Sequence, residues 1–405
     1  MSTRRAHPIA FLFLILPFGA MGGYLTVALA YLLSKAGLSV GAIAGLVAIS
    51  YIPHTWKFAW APIADTTLSR RAWYLIGSVA SAAGMWLMGA LPATPANVPV
   101  LSAIVLIANV AVTFLGMSVE SLMAYGTSDE QKGRAGGWFL AGNLGGQGVG
   151  GGAGLWLAQV LPAPWMAGAG LGVACLLCAI PILFIAEPEA AHRHARFTES
   201  LRNVVRDLWN VARSRLGYLA LFLCFLPIGS GAAANLWSAV AGDWRASANT
   251  VALVTGVFGG FVMAGGCIVG GWLSDRMDRK MSYALYGVLQ ALCAIGMGLA
   301  PRTETSYVVF TMLYAFVTGL TYAGFSAFVL EAMGKGAAAT KYSVFASLSN
   351  TPIWYMTLVD GAAHTRWGPA GMLFAEATLC FVGLALFLVV QALAARSAPP
   401  AEAAS

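Results

Sequence analysis

Gly271-Trp-Leu-Ser-Asp275-Arg276-Met-Asp-Arg279-Lys280 marks the point where a long apolar run stops and charge begins. A thinner copy, Ala61-Pro-Ile-Ala-Asp65 followed by Arg70-Arg71, stands 210 positions earlier, counted from Asp65 to Asp275. Glu120 is answered by Glu331 at an offset of 211, and Gly126 by Gly336 at 210. Three independent features at nearly one offset mean that the chain repeats. Each pair also holds the same place in its half: the loop after a second apolar run, and the inner end of a fourth.

Composition says what those runs are. Of 405 residues, 59% are hydrophobic and 10% are charged, with mean hydropathy +0.75. Soluble domains carry about 25% charged residues, so this chain cannot clothe a water-facing surface and belongs in a membrane. A spanning helix needs about 20 mostly apolar residues. Twelve runs qualify, at 8–33, 38–63, 72–92, 98–125, 134–161, 164–187, 215–241, 248–274, 281–300, 305–333, 338–365 and 368–395. The first is too long for the core of a signal peptide and reads as a span. The expected fold is all-α, twelve transmembrane helices in two six-helix halves. Residues 1–187 form the first bundle, 188–214 a basic cytoplasmic linker, and 215–405 the second bundle. Within the linker, 197–211 suits a short amphipathic helix on the membrane surface.

Most of the 23 lysines and arginines fall on one side if the N-terminus is cytoplasmic, leaving Lys35, Arg245, Arg302 and Arg366 opposite and Lys57 within a span. That is the positive-inside bias of a bacterial inner-membrane protein with both termini in the cytoplasm. It accounts for the net charge of +7 without nucleic acid, for which no basic soluble domain exists. The six cysteines lie in apolar runs and read as small buried hydrophobes. No metal cluster, nucleotide loop or activated nucleophile is present, so neither a cofactor nor enzyme chemistry is expected. The Gly-rich run 136–154 lacks the Lys-Ser/Thr ending of a phosphate loop and reads as close helix packing.

Polar residues inside the spans are the candidate site. Lys57 lies eight residues before Asp65, roughly 12 Å up the helix at about 1.5 Å per residue. An ionisable group at that depth faces the bundle interior or an aqueous cavity. Glu120 and an anionic substrate are its expected partners, and His54 shares its face. Asn143 and Gln147, at i and i+4, share a face that points to a cavity lining, and Tyr24 is a further candidate for the cavity. In the second half Asn235, Tyr322, Asn350 and Trp354 play the matching part, the last two flanking Thr351-Pro352. Glu120, Glu331 and Asp360 are candidates for proton coupling, with His364 and Glu376 as further groups able to relay protons. Asp65 with Arg70 and Arg71, and Asp275 with Arg279 and Lys280, read as a cytoplasmic gate that pairs in one access state and separates in the other.

The stretch 271–280 resembles the loop signature of the major facilitator superfamily, G-x-x-x-D-R-x-x-R-K. Within it, Trp56-Lys57-Phe-Ala-Trp60-Ala-Pro62-Ile-Ala-Asp65 and Ala339-Thr-Lys-Tyr-Ser-Val-Phe-Ala-Ser347-Leu-Ser resemble segments of the peptide/acetyl-coenzyme A transporter family, which includes the muropeptide permeases. The end of span four, Glu120 to Arg134, is similar as well. The chain departs from the permeases at Leu115-Gly116, where they carry Gln-Asp, and at Lys341, where they carry Gln. The resemblance implies large, polar, often anionic metabolites. The expected function is therefore a monomeric, proton-coupled importer of an amphipathic organic solute such as a muropeptide or siderophore. The alternatives are a drug or metabolite exporter and a non-transporting sensor on the same fold.

Overall fold

The computed structural model describes residues 7–127, 131–185, 215–333 and 344–396, together with 202, 205, 206, 209 and 213. Among the described residues the structure is helical throughout, without strands, and its helices group into twelve. In the first half α1 is Ala10–Lys35, α2 Val40–Thr66, α3 Arg70–Ala90 and α4 Val98–Gly126. α5 runs through Lys132–Gly148, Val149–Ala153 and Gly154–Val160, and α6 is Pro164–Phe184. In the second half α7 starts at Arg215–Leu223, α8 is Ala248–Ser274, α9 Arg279–Leu299 and α10 Glu304–Met333. α11 and α12, 344–367 and 369–396, meet at Gly368, whose φ of 71° turns the chain. The bilayer sets their lengths; Ser39 and Ser69 set where α2 and α3 begin, each hydroxyl accepting a first-turn amide at 3.2 and 3.1 Å.

Arg70 sits in the first turn of α3, where the helix dipole disfavours a cation. Its partner explains the position: Nη1 donates to the Ala64 carbonyl at 2.6 Å, satisfying a freed acceptor at the end of α2. Arg71 donates to the carbonyl of Ile185, tying α3 to the end of α6. This side is called the basic face below, and the opposite side the far face.

α7 departs from the continuous span expected over 215–241. Its helix stops at Leu223, and the chain resumes as the tight turns Ala232–Leu236 and Ala241–Trp244 around a short helix Trp237–Val240. Pro227 has no N–H to continue the ladder, and Gly229 and Gly231 take φ of 58° and 70°, which a side chain resists. In hydrocarbon the freed carbonyls must find donors. Hydroxyls supply them: Tyr355 to Phe225 at 2.9 Å, Tyr283 to Ile228 at 2.8 Å, Tyr307 to Trp237 at 3.0 Å and Ser34 to Ala239 at 2.6 Å.

α1 packs on α5 in the first half and α8 on α10 in the second. The α1–α5 approach is so close that a Cβ on Gly150 would stand 2.0 Å from the Ala20 carbonyl oxygen, which is what the Gly-rich run provides. The halves touch along α2 with α11 and α5 with α8. Gly361 of α11 meets Ala44 of α2, and Gly256 of α8 meets Gly152 of α5. These positions fall in the far-face portions of the helices. The seam is therefore closed on the far side.

The basic linker lies outside the described residues apart from the five named, which are helical and, at Arg202, Val205, Arg206, Trp209 and Arg213, exposed. Lys335, Gly336 and Lys341, and the side chains of Asp65 and Glu331, also lie outside them.

Candidate functional site

α2 and α4 run in the same direction side by side, and their polar residues pair off along the contact. His54 and Asn109 Oδ1 are 3.3 Å apart, and Trp60 Nε1 donates to Thr113 Oγ1 at 3.1 Å. Lys57 Nζ reaches Glu120 Oε1 at 3.4 Å. This is the partner that the depth of Lys57 suggested. The lysine side chain keeps 20% of its surface open and the glutamate 44%, so the pair is not sealed in the core. A half-open pair of this kind adds at most about 1 kcal/mol to stability. Packing of the fold does not require it.

One turn outward from His54, Tyr51 carries the stripe across the seam. Its hydroxyl donates to Asn235 Oδ1 at 2.8 Å, and Asn235 Nδ2 donates to Thr357 at 3.0 Å. Three helices from both halves, α2, α7 and α11, are joined in two hydrogen bonds. The break in α7 makes this possible, because it turns Asn235 inward on a tight turn. Tyr51 also lies close enough to Tyr322 of α10 to feel its hydroxyl. Tyr322 opens onto a pocket of about 40 Å³ lined by Ser230, Tyr283, Thr321, Phe325 and Ser349. Glu120, Lys57, His54, Tyr51, Asn235 and Tyr322 thus form one polar surface between the halves.

The other candidates fall elsewhere. Tyr24 is fully buried, its hydroxyl lodged against Gly89 of α3 and Gly168 of α6; in this conformation it packs the first half and lines no cavity. Asn143 and Gln147 lie on the α1–α5 contact, where their carbonyls touch Gly19 and Gly23. The Asn350 amide turns back on its own helix, donating to Ala346 and Ser347 carbonyls at 3.1 and 3.0 Å. Trp354 stacks edge-on to Tyr355 with centroids 6.2 Å apart. Asp360 and His364 do not pair with each other: His364 takes Asp243 of α7 at 2.8 Å, and Asp360 is wholly buried.

On the basic face, Asp275 is exposed, and its carboxylate makes no hydrogen bond or ion pair among the described residues. Asp278, one turn on, is the residue that works locally: Oδ1 accepts the amides of Lys280 and Met281 at 3.1 and 3.0 Å and caps α9. Arg276 lies over Trp272 at 4.0 Å. The contacts between the halves thus lie on the far face, while the carboxylate of Asp275 on the basic face stays without a partner among the described residues.

Sequence reasoning missed Tyr51, Asn109 and Thr113. All three were readable as stripes: Tyr51 and His54 are i, i+3 on α2, and Asn109 and Thr113 are i, i+4 on α4, on the face that bears Glu120.

A larger groove of about 450 Å³ between α5 and α8, around Trp156 and Leu253, is almost wholly apolar and receives none of these groups.

No curated protein matches the sequence. Among solved structures the fold is similar to a nucleoside transporter, NupG, at 13% identity and TM-score 0.74, covering 95% of this chain and 98% of that one. It is also similar to a D-xylose–proton symporter at 13% identity and TM-score 0.71, covering 94% and 95%. The inward-open form of the xylose transporter XylE from E. coli matches at 13% identity and TM-score 0.66, covering 95% and 96%. A family model described as Major Facilitator Superfamily matches residues 9–357. With the twelve helices, the halved repeat and the loop signature, that match places the chain in the major facilitator superfamily, as a membrane transporter rather than an enzyme.

Proposed function

We propose that this transporter carries an anionic, amphipathic organic solute, bound between the halves with its negative group on Lys57. The carrying observation is the position of that lysine. It is the cation of the central polar surface, it is partly open, and its partner Glu120 is the more exposed member of the pair. A carboxylate so placed can be exchanged for a substrate anion at little cost in stability. Aromatic and amide groups around it, Tyr51, Tyr322 and Asn235, suit the less charged remainder of such a solute.

Transport proceeds by alternating access. The far-face seam of α2 with α11 and α5 with α8 opens as the charges of the basic face pair, and the bound solute changes sides. The resemblance of Trp56–Asp65 to the peptide/acetyl-coenzyme A transporters supports a metabolite of muropeptide, siderophore or acyl-coenzyme A type. Import across the inner membrane, coupled to protons, is the reading we adopt. The neighbours named as proton symporter and nucleoside transporter are consistent with that reading at the level of fold.

The test is binding. Purified protein is heated with a muropeptide, a ferric siderophore and an acyl-coenzyme A in turn. At least one should raise the melting temperature of the wild type and not that of Lys57→Ala. A stabilisation that is the same in both proteins would remove Lys57 from the site. Assays in inside-out and right-side-out vesicles then decide between import and export.

A further inference from the structure

Away from Lys57, the second half contains charge that transport of an anion does not use. Asp360 on α11 is 0% exposed, and neither of its oxygens has a hydrogen-bond partner. Glu376 on α12 is 4% exposed; Oε1 accepts the Tyr314 hydroxyl of α10, while Oε2 has no partner. The two carboxyl groups are close enough to act on each other electrostatically, and Tyr314 lies within range of both. The indole N–H of Trp237, whose ring meets Tyr314 edge-on at 5.2 Å, is a third buried group without a partner. Four helices thus bring two acids, a phenol and an orphaned donor to one place.

Two carboxylates cannot both stay ionised there. An unpaired buried charge is far costlier than a neutral carboxyl, and a second one beside it adds repulsion. Among the described residues no cation answers them. The groups facing the pair are Tyr314 from α10, Cys293 from α9 and Cys380 from α12, with the backbone amide of Ala233 from α7. The nearest histidine on α11, His364, is occupied by Asp243. A metal ion fits poorly: the crevice beside Glu376, lined by Pro227, Ser230, Gln290 and Cys380, has no room for a water molecule, and ion coordination needs several oxygens. A proton needs no room.

The geometry points to a proton-binding site: we propose that the buried acids Asp360 and Glu376 together bind and release one proton, with Tyr314 as the hydrogen-bond donor that positions Glu376. The step balances simply. One proton leaves bulk water for a carboxylate oxygen and returns to water on the other side when the halves have rocked. The route in is the α7 break. Gly229 and Ser230 border both the Tyr322 pocket and the Glu376 crevice. Thr321 in that pocket donates to Gln290 Oε1 at 3.2 Å, and Gln290 also interacts with Tyr314. The acid pair is therefore wired to the central surface but separate from it, so proton and solute occupy different sites.

The coupling part of this proposal rests on the transporter reading; the proton-binding part does not, and the experiment separates them. Infrared spectra of the purified wild type are recorded across pH in sodium and in choline buffer. A protonated-carboxyl band should be present at neutral pH, should be indifferent to sodium, and should vanish or shift in both Asp360→Asn and Glu376→Gln. If either replacement prevents folding, Tyr314→Phe, which leaves both acids in place, should still shift the band. A wild type with no such band, a band unmoved by these variants, or one displaced by sodium overturns the proton site. In proteoliposomes, Asp360→Asn and Glu376→Gln should lose accumulation driven by a pH gradient while retaining solute counterflow. Undiminished accumulation in both would leave a structural acid pair and overturn its coupling role. If the wild type moves no solute at all, the transporter reading fails and the spectra still decide the proton site.

Discussion

Lys57 and Glu120 illustrate how much a single ionic contact can be asked to do. At 3.4 Å, with both side chains partly open, the pair contributes about 1 kcal/mol or less to the folded state. Glu120→Gln should therefore leave the melting temperature nearly unchanged while freeing Lys57 for a competing anion. Affinity for an anionic ligand should rise or hold, and a fall measured by calorimetry would mean that Glu120 itself contacts the solute. Lys57→Ala should weaken binding about 10- to 150-fold, the range expected for a charge-assisted hydrogen bond worth about 1.5–3 kcal/mol, with Lys57→Arg recovering part of it. The depth of Lys57 in an apolar run was enough to single it out, because a cation there demands a reason. The same logic does not reach Tyr51 or Thr357. They are ordinary residues in their own helices and become a bridge only when Asn235 is turned toward them.

The element that the periodicity misread is α7. Its composition over 215–241 is apolar enough for a straight helix, and hydropathy alone cannot see a break. Pro227, Gly229 and Gly231 were the visible signal, and the tyrosines that cap its freed carbonyls come from α9, α10 and α11, too distant in sequence to be anticipated. Gly229→Ala should expose the strain directly. At φ of 58° a Cβ would stand 2.4 Å from Thr321 Cγ2, and the left-handed conformation alone costs about 1–2 kcal/mol. A lower melting temperature and weaker ligand binding are expected; unchanged stability would mean the break has another geometry. The α2–α11 contact offers a second handle. A Cβ at Gly361 would lie 2.2 Å from Ala44 Cβ, so Gly361→Val should wedge the far face open. Spin labels at Ser39 and Arg366 should then report a longer distance than in the wild type, and an unaltered distance would contradict the seam. By contrast, the ends of most helices were legible to within a few residues, because the bilayer sets their length and serine caps set their starts.

As a whole, the molecule reads as two similar bundles in one of two arrangements. The repeat of Asp65 at Asp275 announced the halves, and the twelve helices and the family match agree with that fold. The site does not obey it. Lys57 has no basic counterpart, since the 210-residue offset lands on Cys267, and the buried acids Asp360 and Glu376 belong to the second half alone. A gate must close both halves and so repeats; a binding group need serve only one solute. In the proposed division the solute's anionic group falls to the first half and the proton to the second, and the hydrogen bonds of Tyr51, Asn235 and Thr357 would link the two mechanically. Uptake by the reconstituted protein tests the division at its origin. With a radiolabelled muropeptide, siderophore and acyl-coenzyme A offered in turn to proteoliposomes under an inward pH gradient, the wild type should accumulate at least one, and Lys57→Ala, inserted to the same level, should accumulate none. Equal accumulation by the two proteins, or none of the three by the wild type, would contradict the account.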